Sequence, residues 1–250
     1  MIKVAVCGAN GRMGKEVCAA VCETSNMELV GKIDIAEGAE FNSIADAAKN
    51  KQIDVLVDFT APSSIFENAK FCLNNKINIV IGTTGLSDAQ ISELKTLSET
   101  NKTGCLIAPN FSTGAVLMMM FAKMASKYFE NAEIIEFHHN QKKDAPSGTA
   151  IKTALMMSQE RDNFKTGNCP EKETIEGSRG GTSYSDIQIH SVRMPGYMAS
   201  QEVVFGSMGQ TLTIRHDSND RKCYMPGVIM GVNYIFSNKN FVYGLENILN

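Results

Sequence analysis

The sequence predicts an α/β protein in which a doubly wound parallel sheet is joined to a smaller α+β unit with a mixed or antiparallel sheet. Three observations carry this reading. Short apolar runs rich in β-branched residues alternate with helical patterns as far as Pro109, as parallel strands do when helices cover both faces. The first of these runs passes directly through a glycine-rich turn, Gly8–Gly14, into a helical pattern. After Pro109 the periodicity changes, and between Ile187 and His216 it alternates residue by residue, as in strands with one solvated face.

Taken in order, Lys3–Cys7 reads as a buried strand, and Val17, Ala20 and Val21 mark the helix after the glycine turn. A strand at Glu28–Ile33, a helix at Ala45–Lys51 and the strand Val55–Val57 follow. Next come a helix at Ile65–Asn74, a strand at Ile77–Ile81, a helix at Asp88–Ser98 and a strand at Gly104–Ile107. Ser112 then caps a long helix carrying Val116 to Tyr128, in which Met118, Met119 and Met120 serve as adaptable packing. Ala132–His138 reads as a strand and a helix opens near Ser147, while Ile187–Arg193, Glu202–Phe205 and Thr211–His216 read as antiparallel strands. Met225–Phe236 is helical again and returns to the first unit. Residues 1–109 and 217–250 are thereby assigned to one domain and residues 110–216 to another.

The 250-residue chain carries a net charge of −3, with 43% hydrophobic and 20% charged residues, an ordinary globular balance. No stripe of Lys and Arg interleaved with aromatics offers nucleic acid a positive surface, and no run approaches the ~20 apolar residues of a membrane span. The N-terminal apolar run lacks the length and cleavage site of a signal peptide. Seven cysteines, an odd number with no C-x-x-C, read as reduced core thiols of a cytoplasmic protein. Cys18 and Cys22 share a helix face without further ligands nearby, so no metal is expected.

Gly8-Ala9-Asn10-Gly11-Arg12-Met13-Gly14 lies between a buried strand and a helix, the context in which a glycine-rich turn has physical meaning. Its glycines let the backbone approach a pyrophosphate, whose charge is met by the helix N-terminus. The spacing is G-x-x-G-x-x-G, with Asn10 where the commonest dinucleotide fingerprint has glycine, and a turn serving only strand–helix packing is the alternative. Asp34, twenty residues after Gly14, is placed to accept hydrogen bonds from an adenosine ribose. Together they favour a dinucleotide on a Rossmann-like unit. Asp58-Phe59-Thr60, Gly82-Thr83-Thr84-Gly85 and Ala108-Pro109-Asn110-Phe111 follow the carboxyl ends of predicted strands, the edge where open α/β sheets bind ligands. Ordinary turn chemistry uses the same residue types.

The densest polar cluster runs from Glu136 to Thr149. His138 and His139 are adjacent, Lys142 follows, and Ser147-Gly148-Thr149 opens a helix whose N–H groups suit a carboxylate. The alternative is a hydrophilic loop whose histidines face water. Adjacent histidines of a strand point to opposite faces and no cysteine is near, so zinc is not expected here. His190 and His216 lie in predicted strands and read as structural.

The run His138-His139-Asn140-Gln141-Lys142-Lys143-Asp144-Ala145-Pro146-Ser147-Gly148-Thr149-Ala150 resembles the signature of the dihydrodipicolinate reductases, also called 4-hydroxy-tetrahydrodipicolinate reductases. The likeness extends, in the family's order, to Gly8–Gly14, Asp58-Phe59-Thr60, Gly82–Gly85, Asn110-Phe111-Ser112 and Ile189-His190-Ser191-Val192-Arg193, and so covers nearly the whole chain. It implies NAD(P)H-dependent reduction of 4-hydroxy-tetrahydrodipicolinate to tetrahydrodipicolinate, in the diaminopimelate route to lysine. By this resemblance His138 is a proton donor and acceptor and Lys142 a proton donor, while His139, Gly148 and Thr149 bind substrate. The cofactor falls to Gly8, Ala9, Asn10, Gly11, Arg12, Met13, Asp34, Gly82, Thr83, Thr84, Ala108, Pro109, Asn110 and Phe111. A small dicarboxylate substrate and a homotetramer assembled through the second domain are implied as well.

The chain departs from the family pattern in two places. After Arg193 it reads Met194-Pro195-Gly196-Tyr197-Met198-Ala199-Ser200-Gln201, where relatives have a glycine pair and then Gly-Glu/Asp-His. Ile35 follows Asp34 where some relatives have an arginine that meets the 2′-phosphate of NADP. With Lys32 and Arg12 close in sequence to the same pocket, use of both NADH and NADPH is expected, with a lean to NADH. An aspartate or homoserine dehydrogenase would share the nucleotide turn without the run from His138 to Thr149. A nucleotide-sensing protein without turnover would not need His138 and Lys142.

Overall fold

The computed structural model describes residues 1–165, 167 and 169–249. The chain divides into two compact units, Met1–Thr113 with Arg221–Asn250, and Gly114–Asp220.

The first unit opens with strand β1 (Ile2–Cys7), helix α1 (Arg12–Glu23) and strand β2 (Met27–Ile33). Helix α1 buries Gly14, Val17, Cys18 and Val21, the single apolar stripe that a helix laid on a sheet requires. Helix α2 (Ile44–Asn50) starts where the Ser43 hydroxyl accepts the Asp46 amide at 3.1 Å, satisfying one of the donors every helix start leaves open. Strand β3 (Val55–Asp58), helix α3 (Ile65–Asn74), strand β4 (Asn78–Ile81), helix α4 (Asp88–Asn101) and strand β5 (Cys105–Ile107) continue the alternation. Every residue of β3, β4 and β5 is buried, as befits strands covered on both faces.

In the second unit, helix α5 (Thr113–Ala125) leads to strand β6 (Asn131–His138) and helix α6 (Gly148–Ser158). Strands β7 (Gly181–Thr182), β8 (Gln188–Arg193), β9 (Ala199–Ser207) and β10 (Gln210–Ser218) follow. Their order is β10-β9-β6-β8-β7. Strand β6 pairs antiparallel with β9 and parallel with β8, so the sheet is mixed. The run Ile187–Arg193, expected from its alternation to be antiparallel, is therefore parallel to its long neighbour. Alternation reports one covered face and says nothing of strand direction. Met118 and Met119 are buried, as their reading as packing residues requires. Ala122, Ile134, Ala154, Met157, Ile189, Val203 and Phe205 join α5, α6 and the sheet in one core.

The chain then returns through helix α7 (Met225–Asn238) and strand β11 (Phe241–Tyr243) to the first unit. Helix α7 approaches so closely that a Cβ on Gly227 would lie 2.1 Å from the Phe111 carbonyl oxygen. Strand β11 pairs parallel with β5 and completes a six-stranded sheet ordered β11-β5-β4-β3-β1-β2. Sequence reasoning does not place β11, whose three residues are too few for a periodicity. All seven cysteines are free, but Cys22 and Cys169 are exposed and only Cys7, Cys18, Cys72 and Cys105 are core thiols. Burial pushes Cys7 and Cys105 up to about 12, where neither is a nucleophile. No helix among the described residues is long and apolar enough to cross a membrane.

Candidate active site

At the carboxyl edge of the parallel sheet, Gly8 takes a φ of +79°, and a Cβ there would lie 2.4 Å from the Phe59 carbonyl oxygen. A Cβ on Gly14 would lie 1.9 Å from the Gly8 carbonyl oxygen. Both positions therefore require glycine. The turn uses its own amides internally: Gly8 and Ala9 donate to the Ile33 carbonyl at 2.9 and 3.1 Å, and Gly11 donates to Gly8 at 3.0 Å. The Asn10 amide donates to the Asp34 carboxylate at 2.8 Å. An anion is then met by the first turn of α1, beginning at Arg12 and Met13, whose N–H groups point out of the helix end.

A cleft of about 740 Å³ lies against this turn and is lined by Gly8, Asn10, Gly11, Asp34, Phe59 and Thr60 among others. Its size is that of a small-molecule or cofactor site, commonly ~300–1,000 Å³. Glycines at the turn, a helix start and a carboxylate in one cleft fit a dinucleotide. Asp34 is fixed on both sides, since its other oxygen accepts the Ala36 amide at 3.0 Å. Ile35 is 96% exposed. Ala9 is buried below the turn.

Of the remaining predicted cofactor residues, Thr83 is bound to a buried carboxylate, Asp58. Asp58 is fully buried and accepts hydrogen bonds from the Thr60 and Thr83 hydroxyls, each at 2.7 Å, and from Asn68 at 2.8 Å. Thr83 in turn accepts the Thr60 amide at 2.7 Å, so one side chain locks the loops after β3 and β4 together. Gly82 gives room to the Phe59 ring, which a Cβ would meet at 2.2 Å. Phe59 also packs on Phe111, with centroids 5.8 Å apart. Thr83, Thr84 and Pro109 line a smaller cleft of about 110 Å³. Ala108 is buried and donates to the Ile81 carbonyl at 3.0 Å, while Asn110 accepts the Ser112 amide at 2.8 Å.

The second unit carries the other cluster. His138 ends β6, its neighbours in register being Arg193 of β8 and Ala199 of β9. Its Nδ1 meets the carboxylate of Glu136, two residues earlier on the same face. Glu136 is fully buried and is also clamped by Arg193, with Nη1 donating to Oε2 at 2.9 Å and Nη2 to Oε1 at 2.7 Å. Burial alone would raise the Glu136 carboxyl, but hydrogen bonds from His138, Arg193 and Ser191 prevail and hold it down at about 2. Arg193 Nη2 further donates to the Asp144 carbonyl at 2.8 Å, and the Ser147 amide donates to Glu136 at 3.3 Å. One buried carboxylate thus ties the end of β6 to the loop and to the start of α6.

Lys142 lies on that loop with Nζ 2.8 and 2.9 Å from the two Asp144 oxygens. Its ammonium holds the Asp144 carboxyl below the ordinary range. The pair is solvent-accessible on the Asp144 side, and such pairs contribute little net stability, so the Lys142 ammonium is able to exchange Asp144 for another carboxylate. His139 is exposed, its Nδ1 accepting the Gln141 amide at 3.3 Å. Ser147 caps α6 by accepting the Ala150 amide at 3.2 Å, while Gly148 faces open space and Thr149 is half-buried beside it. Among the described residues no group of His, Cys, Asp and Glu is arranged to hold a metal.

Glu136, Arg193 and Asp58 fall within segments the sequence singles out, but none of the three receives a role from sequence reasoning. The signal for Glu136 was present. In β6 the core-facing positions are Ala132, Ile134 and Glu136, and a carboxylate in an apolar series is retained only with partners. His190 and Glu133, 2.8 Å apart, form a separate pair with Arg179, consistent with a structural part for His190.

Comparison with known proteins places this geometry in a family. The model of the dihydrodipicolinate reductase N-terminus matches residues 2–111, and that of its C-terminus matches residues 114–249. A 4-hydroxy-tetrahydrodipicolinate reductase of Listeria innocua is 49% identical over 99% of this chain and 100% of its own length. One from Synechocystis is 45% identical over 100% of this chain and 98% of its own. The solved structure of a dipicolinate-bound dihydrodipicolinate reductase from Paenisporosarcina superposes with a TM-score of 0.94 at 45% identity, covering 100% of both chains. With both halves matched and its Rossmann-like unit, mixed-sheet unit and His138–Thr149 cluster accounted for, the chain belongs to the dihydrodipicolinate reductase family of NAD(P)H-dependent oxidoreductases.

Proposed function

We propose that this protein reduces 4-hydroxy-tetrahydrodipicolinate to tetrahydrodipicolinate with NADH or NADPH, in the diaminopimelate route to lysine. The observation that carries the reading is the cluster at the end of β6: a carboxylate-anchored His138, Lys142 two residues from its exchangeable partner, and an open helix start at Gly148 and Thr149. When bound, the reduced nicotinamide supplies a hydride to the conjugated C=C–C=N system that remains after loss of water. His138 and Lys142 supply the balancing proton to the resulting electron-rich centre. His139, Lys142 and the amides of Gly148 and Thr149 hold the two substrate carboxylates by charge-assisted hydrogen bonds.

Cofactor binding falls to the unit with the glycine turn. Asp34 accepts from the adenosine ribose, the start of α1 holds the pyrophosphate, and the Gly82–Thr84 and Ala108–Phe111 loops line the nicotinamide end. Asp34 and Ile35 favour NADH over NADPH. Residues 110–216 form the substrate domain and assemble a homotetramer, for which the exposed strand β10 offers a surface. A cytoplasmic setting accords with seven free cysteines. The test is oxidation of NADH and NADPH in a coupled reaction in which the preceding synthase makes the substrate from pyruvate and aspartate semialdehyde. Cofactor oxidation that depends on the synthase is the expected result, and its absence at high enzyme concentration refutes the proposal.

A further inference from the structure

We infer that Glu136 is a positioning residue for the reduction: its carboxylate holds the Nδ1–H of His138, so that Nε2 is the atom that takes up a proton and passes it to substrate. The inference rests on the reading of His138 as a proton donor.

A fully buried carboxylate on the core face of β6 has no reason to persist without a task, because desolvating it is costly and an apolar residue would pack there. Its surroundings define that task. An ionised carboxylate only accepts hydrogen bonds, so His138 must present Nδ1–H to it, and the other ring nitrogen is left for proton exchange. The second observation is Arg193, whose two Nη atoms occupy both oxygens at 2.9 and 2.7 Å. This clamp keeps Glu136 ionised and prevents it from rotating away from His138. It also balances the charge, so that the imidazole is oriented by a neutral Glu–Arg pair.

Among the described residues of this unit, the charged and titratable groups placed near His138 come from three elements. On its own strand there is Glu136, on β8 Arg193 lies opposite in register, and on the following loop are Lys142 and Asp144. From β9 the facing residue is Ala199. Of these, the structure gives only Glu136 a hydrogen bond to the ring. The opposite face of β6 carries Phe137, with Arg215 over its ring at 5.2 Å, and does not compete. Nε2 takes a proton from solvent to form the imidazolium; when that proton is delivered to substrate, Nδ1–H remains hydrogen-bonded to Glu136 and the neutral imidazole is regenerated with its orientation kept.

The experiment compares the full-length protein with its Glu136→Gln, Arg193→Lys and His138→Gln variants. Turnover, affinity for pyridine-2,6-dicarboxylate as a substrate-like probe, and the ¹⁵N spectrum of histidine-labelled protein are measured. With four histidines in the chain, the His138 resonances are identified by their loss in His138→Gln. The inference expects the Nδ1–H tautomer for neutral His138 in the unmodified protein. It expects that tautomer to be lost in Glu136→Gln, with kcat down by about 10²-fold or more and the affinity for the probe within about threefold. Arg193→Lys, which keeps the charge but not the paired contact, should fall between.

An Nε2–H tautomer in the unmodified protein overturns the inference, and this holds even if Glu136→Gln does not fold. Near-normal kcat in Glu136→Gln overturns it too, as does a loss of turnover accompanied by an equal loss of probe affinity. The two readings separate cleanly. Near-normal kcat in His138→Gln removes the proton-donor assignment itself, whereas an inactive His138→Gln beside an active Glu136→Gln removes only the positioning role.

Discussion

Cofactor choice can be worked out from Asp34 and Ile35. Asp34 cannot easily swing away from a ligand, because one oxygen holds the Asn10 amide at 2.8 Å and the other the Ala36 amide at 3.0 Å. A 2′-phosphate about 5 Å from that carboxylate meets repulsion of about 1–2 kcal/mol per unit charge at an effective dielectric constant of about 40–80. Lys32 and Arg12 are exposed and offset part of this, less so as salt screens them. A net penalty near 1.4 kcal/mol is about tenfold in kcat/KM, so NADH is expected to be used at least as well as NADPH. Ile35, 96% exposed, has no packing to lose, and Ile35→Arg adds a guanidinium suited to a phosphate. The assay is kcat/KM for both cofactors, at one low ionic strength, in the unmodified protein and in Ile35→Arg. The ratio should move toward NADPH by about tenfold in the variant. A tenfold preference for NADPH in the unmodified protein would refute the electrostatic argument, and an unmoved ratio in the variant would show that position 35 does not face the 2′ group.

Four further outcomes follow from the geometry. Lys142→Ala should lose about 10²–10⁴-fold in kcat with little change in NADH affinity, because Lys142 lies outside the unit that carries the glycine turn; His139→Gln should instead raise the substrate KM, and near-normal turnover of Lys142→Ala at saturating substrate would contradict this division. Gly14→Ala forces a Cβ to within 1.9 Å of the Gly8 carbonyl oxygen, so thermal unfolding should come earlier by the equivalent of about 1–3 kcal/mol, and an unchanged Tm would count against the packing. Glu136 contributes stability above its ordinary 4.5 that is lost as pH falls toward about 2; the stability gap between the unmodified protein and Glu136→Gln should therefore close over that window, and a gap independent of pH would disprove it. Sedimentation equilibrium should show a tetramer at micromolar concentration, with a monomer alone refuting assembly through residues 110–216.

Much of the first unit was legible because its signals are local. Ile65–Asn74 has the same bounds in sequence and structure, and Gly8–Gly14 is recognisable because only glycine tolerates the approaches found there. Helix α4 runs to Asn101, three residues past the expected Ser98. Its last turn is held by an αL cap at Lys102, which periodicity does not register, and its start is a capping box between Ser87 and Gln90.

What the sequence determined by itself was therefore what a short stretch can encode: apolar period, glycine turns, helix caps, and the ordered run from His138 to Thr149. Tertiary structure decided the rest. That Ile187–Arg193 runs parallel to β6 depends on which strand it meets, not on its own alternation. Whether the turn amides of Gly8, Ala9 and Asn10 serve an anion or the fold depended on Ile33 and Asp34, more than twenty positions away. Glu136 and Arg193 are 57 residues apart in the chain and 2.7 Å apart in space. A carboxylate among apolar neighbours announces only that some partner must exist, because the cost of burying charge is fixed by composition while its compensation is fixed by pairing in three dimensions.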